Sequence, residues 1–361
     1  MKLQLRKKVL FLLPYPLHKA PSQRFRVEAY FYLLKEHNIE YDTQQFLDEA
    51  AWQVLYQQGS LLKKITAVCK GYFQRLKIVL SGASAYSHIF IHREATPLGP
   101  PLIEWLLAKV LKKKIIYDFD DAIWIPNTSK ENRIASWIKA FWKVKYICRW
   151  SYKVAGGNEY LCEYARKYNK NVVLLPTSVD IVNRYNKTKD HKTGKVVIGW
   201  TGSHSTMHYL DDILPLLKKA VLEFDVQVMI ISNKKPGFEI PGFQFKHWKE
   251  TTEIDDLLQF TIGIMPLKKD AWSEGKCGFK LIQYSALGIP SVTTPVGVNK
   301  KIVDQGRTGF LCETDDEWYV ALQTLIGNKC LREQMGKDGR EKIAAQFSIQ
   351  ANAGIFLDLF N

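Results

Sequence analysis

The chain has 361 residues, of which 46% are hydrophobic and 24% charged, and 51 lysines and arginines against 36 acidic residues give it a formal net charge of +15. This composition excludes a mainly disordered protein, and no apolar run approaches the ~20 residues that a membrane-spanning helix requires. The six cysteines include no Cys-x-x-Cys pair, which argues against a disulfide framework or a zinc site and fits a reducing cytoplasm.

The positive charge is concentrated in the first half of the chain. Residues 1–185 carry 29 basic and 15 acidic side chains, whereas residues 186–361 carry 22 and 21. An excess confined to one half predicts an anionic partner for that half, and a membrane surface and a nucleic acid are the two candidates.

Short apolar segments typical of buried strands alternate with helical spacing along the chain. The predicted strands are residues 9–13, 41–46, 88–92, 114–117, 154–155 and 172–175 in the first half, and 196–200, 226–231, 262–266 and 290–293 in the second. The predicted helical segments include residues 24–37, 48–80 and 207–224. Such alternation predicts an α/β fold with parallel sheets covered by helices on both faces.

A polar stretch at residues 183–194 divides this pattern into two parts and is predicted to be a linker. We therefore expect two Rossmann-like domains, residues 1–185 and 186–345, with an interdomain cleft between them. Ligands of open parallel sheets bind beyond the carboxyl ends of the strands, which places the expected site at that cleft. Residues 346–361 are expected to form a C-terminal helix that packs back toward the first domain.

The segment 272–290, WSEGKCGFKLIQYSALGIP, is the most informative part of the sequence. A glycine-containing loop leads here into a helix with Lys280 in its first turn, and Lys276 lies one turn earlier. A helix N-terminus presents unpaired N–H groups and a positive dipole end, which together with two lysines suits a diphosphate. Gln283 follows and is placed to bond a sugar hydroxyl. The alternative is that the lysines are only solvated.

This segment resembles the donor-binding signature of glycosyltransferase family 4, the group 1 glycosyl transferases, which are retaining enzymes of the GT-B fold. The resemblance extends to further segments in the same order, namely residues 199–203 (GWTGS), 263–267 (GIMPL), 295–299 (PVGVN), 306–311 (GRTGFL) and a late helix at 331–347. It implies two facing Rossmann-like domains, a nucleotide-diphosphate sugar as donor and a sugar acceptor.

The family usually has two glutamates eight positions apart on this loop and helix. The second, which holds the nucleotide ribose, falls on Gln283, and the first, which contacts the donor sugar, falls on Gly275 next to Glu274. The resemblance therefore implies that Glu274 contacts the sugar and Gln283 the ribose. The residues predicted to hold the diphosphate are Gly202, Ser203, Lys276 and Lys280.

Three acidic residues follow the predicted strand at 114–117, in the order Asp118, Phe119, Asp120, Asp121. Hard divalent cations prefer carboxylates, so the pattern by itself would suit a metal. The resemblance implies that no metal or other cofactor is needed, because this architecture normally holds the diphosphate with side chains and helix dipoles. Asp120 lies where the family usually has a histidine, and Asp120 or Asp118 is predicted to orient the acceptor hydroxyl or take its proton.

Arginines lie after two predicted strands, Arg24 and Arg26 after the first and Arg93, followed by Glu94, after the third. Guanidinium groups bind phosphate through two parallel hydrogen bonds. These four residues are therefore candidates for contacts with a diphosphate-linked acceptor or with the phosphates of the donor. An arginine–glutamate pair that only stabilises the loop is the alternative.

Basic and aromatic residues alternate in two stretches of the first half, residues 61–77 and 133–153, and residues 112–114 add three lysines. Basic amphipathic helices with aromatic side chains lie well on an anionic membrane surface. Ordinary core aromatics beside a solvated lysine face are the alternative. The sequence contains no recognition motif for nucleic acid, so the membrane is the preferred partner.

Together these features predict a retaining, metal-independent glycosyltransferase of the hexosyltransferase type in bacterial surface polysaccharide or glycan biosynthesis. Its acceptor is expected to be a carbohydrate or a polyprenyl-diphosphate-linked glycan, and the cytoplasmic protein is expected to bind peripherally at the inner face of the cell membrane. The altered glutamate pair leaves a non-catalytic protein that binds a nucleotide sugar or glycan as the main alternative. A basic nucleic-acid-binding protein is the other.

Overall fold

The computed structural model describes residues 7–55, 59–126, 139–192 and 194–361. It divides the chain into two compact units, the first comprising Met1–Thr177 and Asn352–Asn361 and the second Ser178–Ala351. Each unit contains a six-stranded sheet whose strand pairs are parallel. The predicted α/β class is thereby confirmed.

The sheet of the first unit has the order β2-β1-β3-β4-β5-β6. Its strands are β1 Lys8–Leu13, β2 Glu40–Gln45, β3 His88–His92, β4 Lys114–Phe119, β5 Lys153–Gly156 and β6 Val172–Leu174. Burial is nearly complete in β1, β3 and β4, which explains their continuous apolar sequences, since helices cover both faces of a parallel sheet. β2 lies at the edge and is only partly buried, which permits its polar sequence.

The described helices of the first unit are Pro21–Arg26, Phe31–Glu36, Glu49–Leu55, Leu61–Ser81, Leu102–Trp105, Lys143–Trp150 and Glu159–Arg166, with 3-10 segments at Glu28–Tyr30 and Ala83–Ala85 and a π-helical turn at Leu106–Val110. The single helix predicted at 24–37 is therefore interrupted, because Val27, with a φ of −128°, leaves the helical conformation. The stretch 48–80 contains two helices, and the left-handed Gly59 and Ser60 lie between them.

The sheet of the second unit has the order β12-β11-β10-β7-β8-β9. Its strands are β7 Val196–Thr201, β8 Val226–Ser232, β9 Gln244–His247, β10 Ile262–Met265, β11 Ser291–Thr293 and β12 Gly309–Leu311. β9 was not predicted from its sequence, because it is a short polar edge strand that is only partly buried.

The remaining helices are His204–Ile213, which is a 3-10 helix, and the α-helices Leu214–Glu223, Glu253–Leu257, Ala271–Glu274, Phe279–Ala286, Asn299–Ile302, Asp315–Gly327, Lys329–Gln346 and Ile349–Asp358. The helix predicted at 207–224 thus changes type at its middle. Pro215 lies in the first turn of Leu214–Glu223 and has no N–H to donate, so α-helical hydrogen bonding begins only there.

The boundary between the units lies after Thr177, earlier than the boundary after residue 185 that the sequence predicts. Residues 178–185 contact the second unit, where Nη1 of Arg340 donates to the carbonyl of Tyr185 at 2.9 Å. The predicted linker is also fixed to this unit, since Nε2 of His191 lies 2.9 Å from the carbonyl oxygen of Gly288. Polar composition predicted a linker, but these residues form specific polar contacts with the second unit.

The C-terminal residues Asn352–Asn361 complete the core of the first unit. The ring of Phe356 stacks on that of Tyr30 with centroids 4.3 Å apart, and Phe360 lies edge-on to Phe11 at 6.2 Å. Across the part of the chain that the structure describes, no helix is both long enough and apolar enough to cross a membrane.

Candidate active site

Polar residues of the first unit collect where three neighbouring strands end. β1, β3 and β4 are adjacent in the sheet, and their carboxyl ends lead into the helix Pro21–Arg26, into Arg93 and into Asp120. His92 and Asp118, near the ends of β3 and β4, are direct partners in the parallel register. These side chains therefore meet at one edge of the sheet, which is the edge where open parallel sheets bind their ligands.

Asp118 is completely buried and uses both carboxylate oxygens. Arg26 forms an ion pair with its Oδ1 and also donates to the backbone carbonyl of Leu175. Oδ2 lies 2.7 Å from Nδ1 of His92. Neither side chain of the ion pair has accessible surface. This placement favours a structural role for Asp118 and Arg26 over the predicted contacts with an acceptor, because neither presents a group to solvent.

Asp120 keeps a small exposed fraction, 9%. Arg93 holds its Oδ1 with two hydrogen bonds, from Nε at 2.9 Å and Nη2 at 2.7 Å. Burial alone would raise the pKa of Asp120, but the charges of Arg93, His92 and Arg26 and a hydrogen bond from Ser22 outweigh it and hold the pKa well below its ordinary value. Asp120 is therefore an ionised carboxylate at neutral pH.

Arg93 is the cation that faces two carboxylates. Its Nη2 also lies 2.5 Å from Oδ2 of Asp121. Burial lowers the pKa of the guanidinium, but the two aspartates outweigh this and raise it well above the ordinary value. The backbone of Arg93 is left-handed, with a φ of +62°, a strained conformation that proteins retain mainly at functional sites.

Arg24 and Glu94, the other predicted acceptor contacts, have different neighbours. The guanidinium of Arg24 lies 5.0 Å from the ring centroid of Phe25, and the residue is 5% exposed. Glu94 forms an ion pair with Nζ of Lys143 at 2.8 Å. Burial raises the pKa of Glu94 against the opposite effect of that lysine. The adjacent Arg93 and Glu94 thus bind separate partners rather than each other.

Sequence reasoning missed two residues of this cluster, His92 and Ser22, which lie between Asp118 and Asp120. The sequence feature that could have identified His92 is its position along the chain. His92 is the last residue of the buried strand β3, and a polar side chain at the carboxyl end of a parallel strand faces the ligand edge.

In the second unit, Lys280 lies beside Gly202, the residue that follows β7. A Cβ placed on Gly202 would lie 2.9 Å from Cε of Lys280 and 2.6 Å from the indole of Trp200. Only glycine leaves room for the lysine at this strand end. Nζ of Lys280 lies 5.3 Å from the centroid of the Trp200 ring, so an aromatic face helps to hold the cation. The adjacent Ser203 is exposed, and its hydroxyl lies 2.8 Å from that of Ser205.

The helix Phe279–Ala286 carries Lys280 in its first turn. Its N-cap is Gly278, which is left-handed with a φ of +64° and has no side chain to accept from the first N–H groups. A Cβ at Gly278 would meet Cδ1 of Ile302 at 2.2 Å, so the position requires glycine. Nζ of Lys276 lies 5.0 Å from the ring centroid of Trp272. Two lysines and a helix N-terminus make this a positive region that suits an anionic ligand.

Gln283 is buried, and its amide nitrogen faces protein partners. Nε2 donates to the hydroxyl of Tyr185 at 2.7 Å and lies 3.5 Å from Oε1 of Glu253. Glu253 also accepts from the indole of Trp248 at 3.1 Å and forms an ion pair with Arg184 at 2.6 Å. Because a carboxylate can only accept, the amide nitrogen must point toward Glu253, and the carbonyl oxygen of Gln283 is the group available to a ribose hydroxyl.

Glu274 ends the short helix Ala271–Glu274, which Asp270 caps by accepting from the N–H of Ser273 at 2.7 Å. Gly297 approaches closely, since a Cβ there would lie 2.8 Å from the carbonyl oxygen of Glu274. The cavity beside Glu274 has a volume of about 440 Å³ and is lined by Lys269, Asp270, Ala271, Glu274, Pro295, Lys300 and Glu313. This size is typical of a small-molecule site.

One family model matches part of the second unit. Residues 195–328 match the family model described as Glycosyl transferases group 1. The chain is 36% identical over 72 residues to N-acetyl-alpha-D-glucosaminyl L-malate synthase of Bacillus anthracis, and 37% identical over 71 residues to the capsular polysaccharide biosynthesis glycosyltransferase CapM of Staphylococcus aureus. Each alignment covers 19% of this chain and 19% of the relative, so the chain spans about a fifth of the length of these curated relatives.

Solved structures match nearly the whole chain. Sucrose-phosphate synthase from Thermosynechococcus elongatus has a TM-score of 0.70 at 12% identity, with 98% of each chain covered. HepE of Anabaena, solved in complex with UDP and glucose, has a TM-score of 0.65 at 14% identity, covering 98% of this chain and 99% of HepE. A glycosyltransferase from Rickettsia africae has a TM-score of 0.68 at 11% identity, covering 99% and 98%. Likeness at such low identity establishes the fold, which is GT-B as predicted.

Proposed function

We propose that this chain is a group 1 glycosyl transferase, which the match of residues 195–328 to that family model supports, and that it moves a sugar from a nucleotide-diphosphate sugar to a carbohydrate or a polyprenyl-diphosphate-linked glycan. We infer that the transfer retains configuration, requires no metal, and belongs to the synthesis of a bacterial surface polysaccharide or glycan. Two relatives support this: CapM is named for capsular polysaccharide biosynthesis, and HepE was solved with UDP and glucose.

The observation that carries the proposal is the contact of Lys280 with Gly202 at the end of β7, beside the N-terminus of the helix Phe279–Ala286. During transfer, negative charge grows on the leaving diphosphate. Cations and N–H groups that are already fixed in place stabilise that charge without reorganisation. In the proposed complex, Gln283 accepts a hydrogen bond from the ribose, and Glu274 contacts the donor sugar from its cavity.

Metal independence is supported by the charges on both units. Lys276 and Lys280 supply positive charge of the kind that a divalent cation provides in other transferases. In the first unit, Arg26 pairs with Asp118 and Arg93 pairs with Asp120, so guanidinium groups already neutralise the Asp-x-Asp pattern. We expect turnover to be unaffected by EDTA, and a loss that Mg²⁺ or Mn²⁺ restores would refute this part.

We propose that Asp120 orients the acceptor hydroxyl. It is ionised and partly exposed, and it lies at the ligand edge of the sheet, whereas Asp118 is sealed inside. Arg93, whose side chain is 22% exposed, is the predicted arginine best placed to contact an acceptor phosphate. The role inferred for Arg24 is less favoured because that residue is buried, and the role inferred for Glu94 is less favoured because its carboxylate is paired with Lys143.

Lys280→Met tests the donor site. The variant loses the charge but keeps an apolar stem against Trp200, so the fold should persist. We expect kcat to fall about 100-fold, the scale of one preorganised transition-state contact. Lys337→Met, at an exposed position on the helix Lys329–Gln346, is the matched control and should turn over normally. Near-native transfer by Lys280→Met across a panel of nucleotide sugars would contradict the assignment.

The helix Leu61–Ser81 supports the proposed binding to an anionic membrane. It has 21 residues, none of them acidic, and spans roughly 30 Å. Leu62, Phe73 and Leu80 lie on one stripe and are 80%, 70% and 65% exposed. Lys63, Lys70 and Lys77 form a row beside that stripe. In the other predicted basic stretch, Lys143 is buried and so is not available to a membrane surface, and residues 133–138 lie outside the described residues.

Vesicle flotation tests this surface. We expect the native protein to float with vesicles containing phosphatidylglycerol and to remain below with phosphatidylcholine alone. The double variant Phe73→Ser and Leu80→Ser should lose flotation, since each buried CH₂ contributes about 0.8 kcal/mol. Leu222→Ser, at a 76% exposed leucine of the second unit, is the control. Equal recovery of native protein with both vesicles would refute peripheral membrane binding.

A non-catalytic nucleotide-sugar-binding protein is the second candidate. The replacement of the two family glutamates by Gly275 and Gln283 favours it. Tight binding of a nucleotide sugar without hydrolysis or transfer to any acceptor in the panel would select this function.

A further inference from the structure

An apolar groove lies on the surface of the first unit. Its volume is about 350 Å³, and it is lined by residues 100–102, Trp105, Trp142, Tyr146 and Trp150. Three of these side chains are exposed, Leu102 to 64%, Trp142 to 49% and Trp105 to 45%. Large apolar side chains that stay exposed side by side mark a surface that binds another molecule.

The aromatic wall of this groove repeats every four residues. Trp142 precedes the helix Lys143–Trp150, Tyr146 lies within it, and Trp150 is its last residue. Their rings contact one another, with centroids 5.6 Å apart at the first step and 5.7 Å apart at the second. The buried apolar residues of the helix lie on another face and are Val144, Ile147 and Cys148. The three rings therefore form a separate outer surface about 12 Å long, and they are not part of the core.

The chemistry of the lining residues favours a hydrocarbon as the occupant. Proline has no N–H, an indole has one donor and no acceptor, and Tyr146 has the one side-chain hydroxyl among the lining residues. A sugar ring or a peptide placed here would lose hydrogen bonds to water and find few replacements, which costs free energy for each unpaired group. A hydrocarbon chain has no such groups, and every methylene that leaves water favours binding.

Cations border this hydrocarbon-binding face. Nζ of Lys145 lies 5.0 Å from the ring centroid of Tyr146, and the guanidinium carbon of Arg149 lies 6.0 Å from the same centroid. The helix Lys143–Trp150 contains no acidic residue. An apolar groove with a positive border is complementary to a molecule that joins a hydrocarbon chain to an anion, which is the chemistry of a lipid phosphate.

The loop after β3 connects the groove to the candidate acceptor site. Arg93 begins this loop and pairs with Asp120. The next residue, Glu94, pairs with Nζ of Lys143 at 2.8 Å. Lys143 directly follows Trp142 in the wall of the groove. The groove therefore begins near the arginine that is the candidate contact for an acceptor phosphate.

The same loop holds the second wall of the groove and the helix that we propose to lie on the membrane. Oε1 of Glu104, in the helix Leu102–Trp105, accepts from the N–H of Ala95 at 3.0 Å. Nε of Arg75, in the helix Leu61–Ser81, donates to the carbonyl of Ala95 at 2.8 Å. The proposed membrane helix, the groove and Arg93 thus meet at three consecutive residues of one loop.

We propose that this groove holds the first isoprene units of a polyprenyl-diphosphate-linked acceptor, with the diphosphate directed toward Arg93. The inference rests on the proposed glycosyl transfer and narrows its acceptor from carbohydrates in general to a lipid-linked glycan. The position of the groove favours this lipid over a phospholipid of the bulk membrane, because the groove leads to the acceptor site and a bulk lipid takes no part in the transfer.

Soluble prenyl diphosphates test the groove without a membrane and without catalysis. Geranyl, farnesyl and geranylgeranyl diphosphate differ only in chain length, and inorganic diphosphate measures binding of the anion alone. Calorimetric titration gives the Kd of each compound. We expect farnesyl diphosphate to bind about 10-fold more tightly than geranyl diphosphate, because one further isoprene unit is buried against the aromatic wall. Equal Kd values for the three prenyl compounds would overturn the inference.

The double variant Leu102→Ser and Trp142→Ser removes apolar surface from both walls of the groove. Both positions are exposed, so the fold should persist. We expect the three prenyl diphosphates to bind this variant within about 3-fold of one another, with the Kd of inorganic diphosphate unchanged. Val110→Ser is the matched control, because Val110 is 52% exposed in the same unit and does not line the groove. A double variant that keeps the native dependence on chain length, or an equal loss in Val110→Ser, would overturn the inference.

Two competitors distinguish the proposed occupant from its rivals. Maltohexaose presents sugar rings without a lipid, and dihexanoyl phosphatidylglycerol is a short-chain phospholipid. We expect neither to displace farnesyl diphosphate at equal concentration. Displacement by the oligosaccharide would assign the groove to a glycan, and displacement by the phospholipid would assign it to the bulk membrane, and either result would overturn the inference.

The binding experiments also separate this inference from the proposed function. If the native protein transfers no sugar but binds prenyl diphosphates more tightly as the chain lengthens, the proposed function fails and the assignment of the groove stands. If it transfers sugar but binds the three prenyl diphosphates equally, the groove does not hold the lipid chain and the proposed function stands.

Discussion

Gly202→Ala probes whether the donor site depends on the close approach of Lys280 to the end of β7. The added methyl would lie 2.6 Å and 2.7 Å from two carbons of the Trp200 ring and 2.9 Å from Cε of Lys280. Carbon atoms in ordinary contact are about 3.5–4.0 Å apart. Trp200 is 2% exposed and enclosed by the core, so it has little room to retreat. The flexible lysine is the group that must move, and its ammonium moves with it.

Two effects of this methyl can be estimated. Overpacking against Trp200 should lower the free energy of unfolding by about 1–3 kcal/mol. Displacing the ammonium removes one charged hydrogen bond to the diphosphate, which contributes about 1.5–3 kcal/mol. That loss corresponds to a Kd for the nucleoside diphosphate raised roughly 10- to 100-fold.

Calorimetric titration with the nucleoside diphosphate that the native protein binds best measures the second effect, and urea unfolding measures the first. Gly237→Ala is the matched control, because a Cβ on Gly237 meets no atom within 4 Å. Its Kd should equal that of the native protein. A folded Gly202→Ala that binds the diphosphate with native affinity would show that the approach of Lys280 to β7 has no part in donor binding.

Two further predictions concern the buried charges of the first unit. Arg26→Met leaves the carboxylate of Asp118 buried without its cation, so we expect the free energy of unfolding in urea to fall by about 3–5 kcal/mol. Adding Asp118→Asn should restore part of that stability. A loss below about 1 kcal/mol in Arg26→Met would show that the ion pair does not stabilise the unit. The lowered pKa of Asp120 contributes stability that is present above the unfolded-state pKa of about 3.9 and is lost as the pH falls through the acid range. Asp120→Asn should therefore show a smaller drop in thermal unfolding midpoint between pH 5 and pH 3 than the native protein, and equal drops would refute the assigned pKa direction.

The framework of both units follows from patterns that the sequence displays directly. Buried parallel strands such as β1 and β3 are continuous apolar runs, and the glycines of the donor loop mark where backbone and side chains must approach. The order of the family segments brings Gly202 and Lys280 together because Gly202 follows β7, and the helix that carries Lys280 begins in the connection after β10, the neighbour of β7 in the sheet. The exceptions are local, as with the polar edge strand β9, where burial is too slight to leave a pattern.

The chemistry of the individual carboxylates did not follow from the sequence. Asp118 and Asp120 are two residues apart and carry the same group, yet one is sealed in an ion pair and the other is partly exposed. Their partners, Arg26 and Arg93, come from other strand ends and are distant in sequence. Which carboxylate stays accessible depends on how the surrounding elements pack in the folded unit, and the residue types alone do not show this.

Gln283 is a further residue whose role the sequence alone does not reveal. It departs from the glutamate that the family usually has here, but its neighbours in the folded unit are arranged to suit an amide. The amide nitrogen faces Tyr185 at 2.7 Å and Glu253 at 3.5 Å, which leaves an oxygen to accept from a ribose as a glutamate would. Gln283→Glu, although it restores the family residue, should therefore weaken nucleotide binding, because it sets a second carboxylate against the buried Glu253. We expect a lower unfolding midpoint and a Kd raised about 10-fold, both largely reversed when Glu253→Gln is added and the two groups are exchanged. Native affinity in Gln283→Glu alone would show that Glu253 does not determine which residue this site accepts.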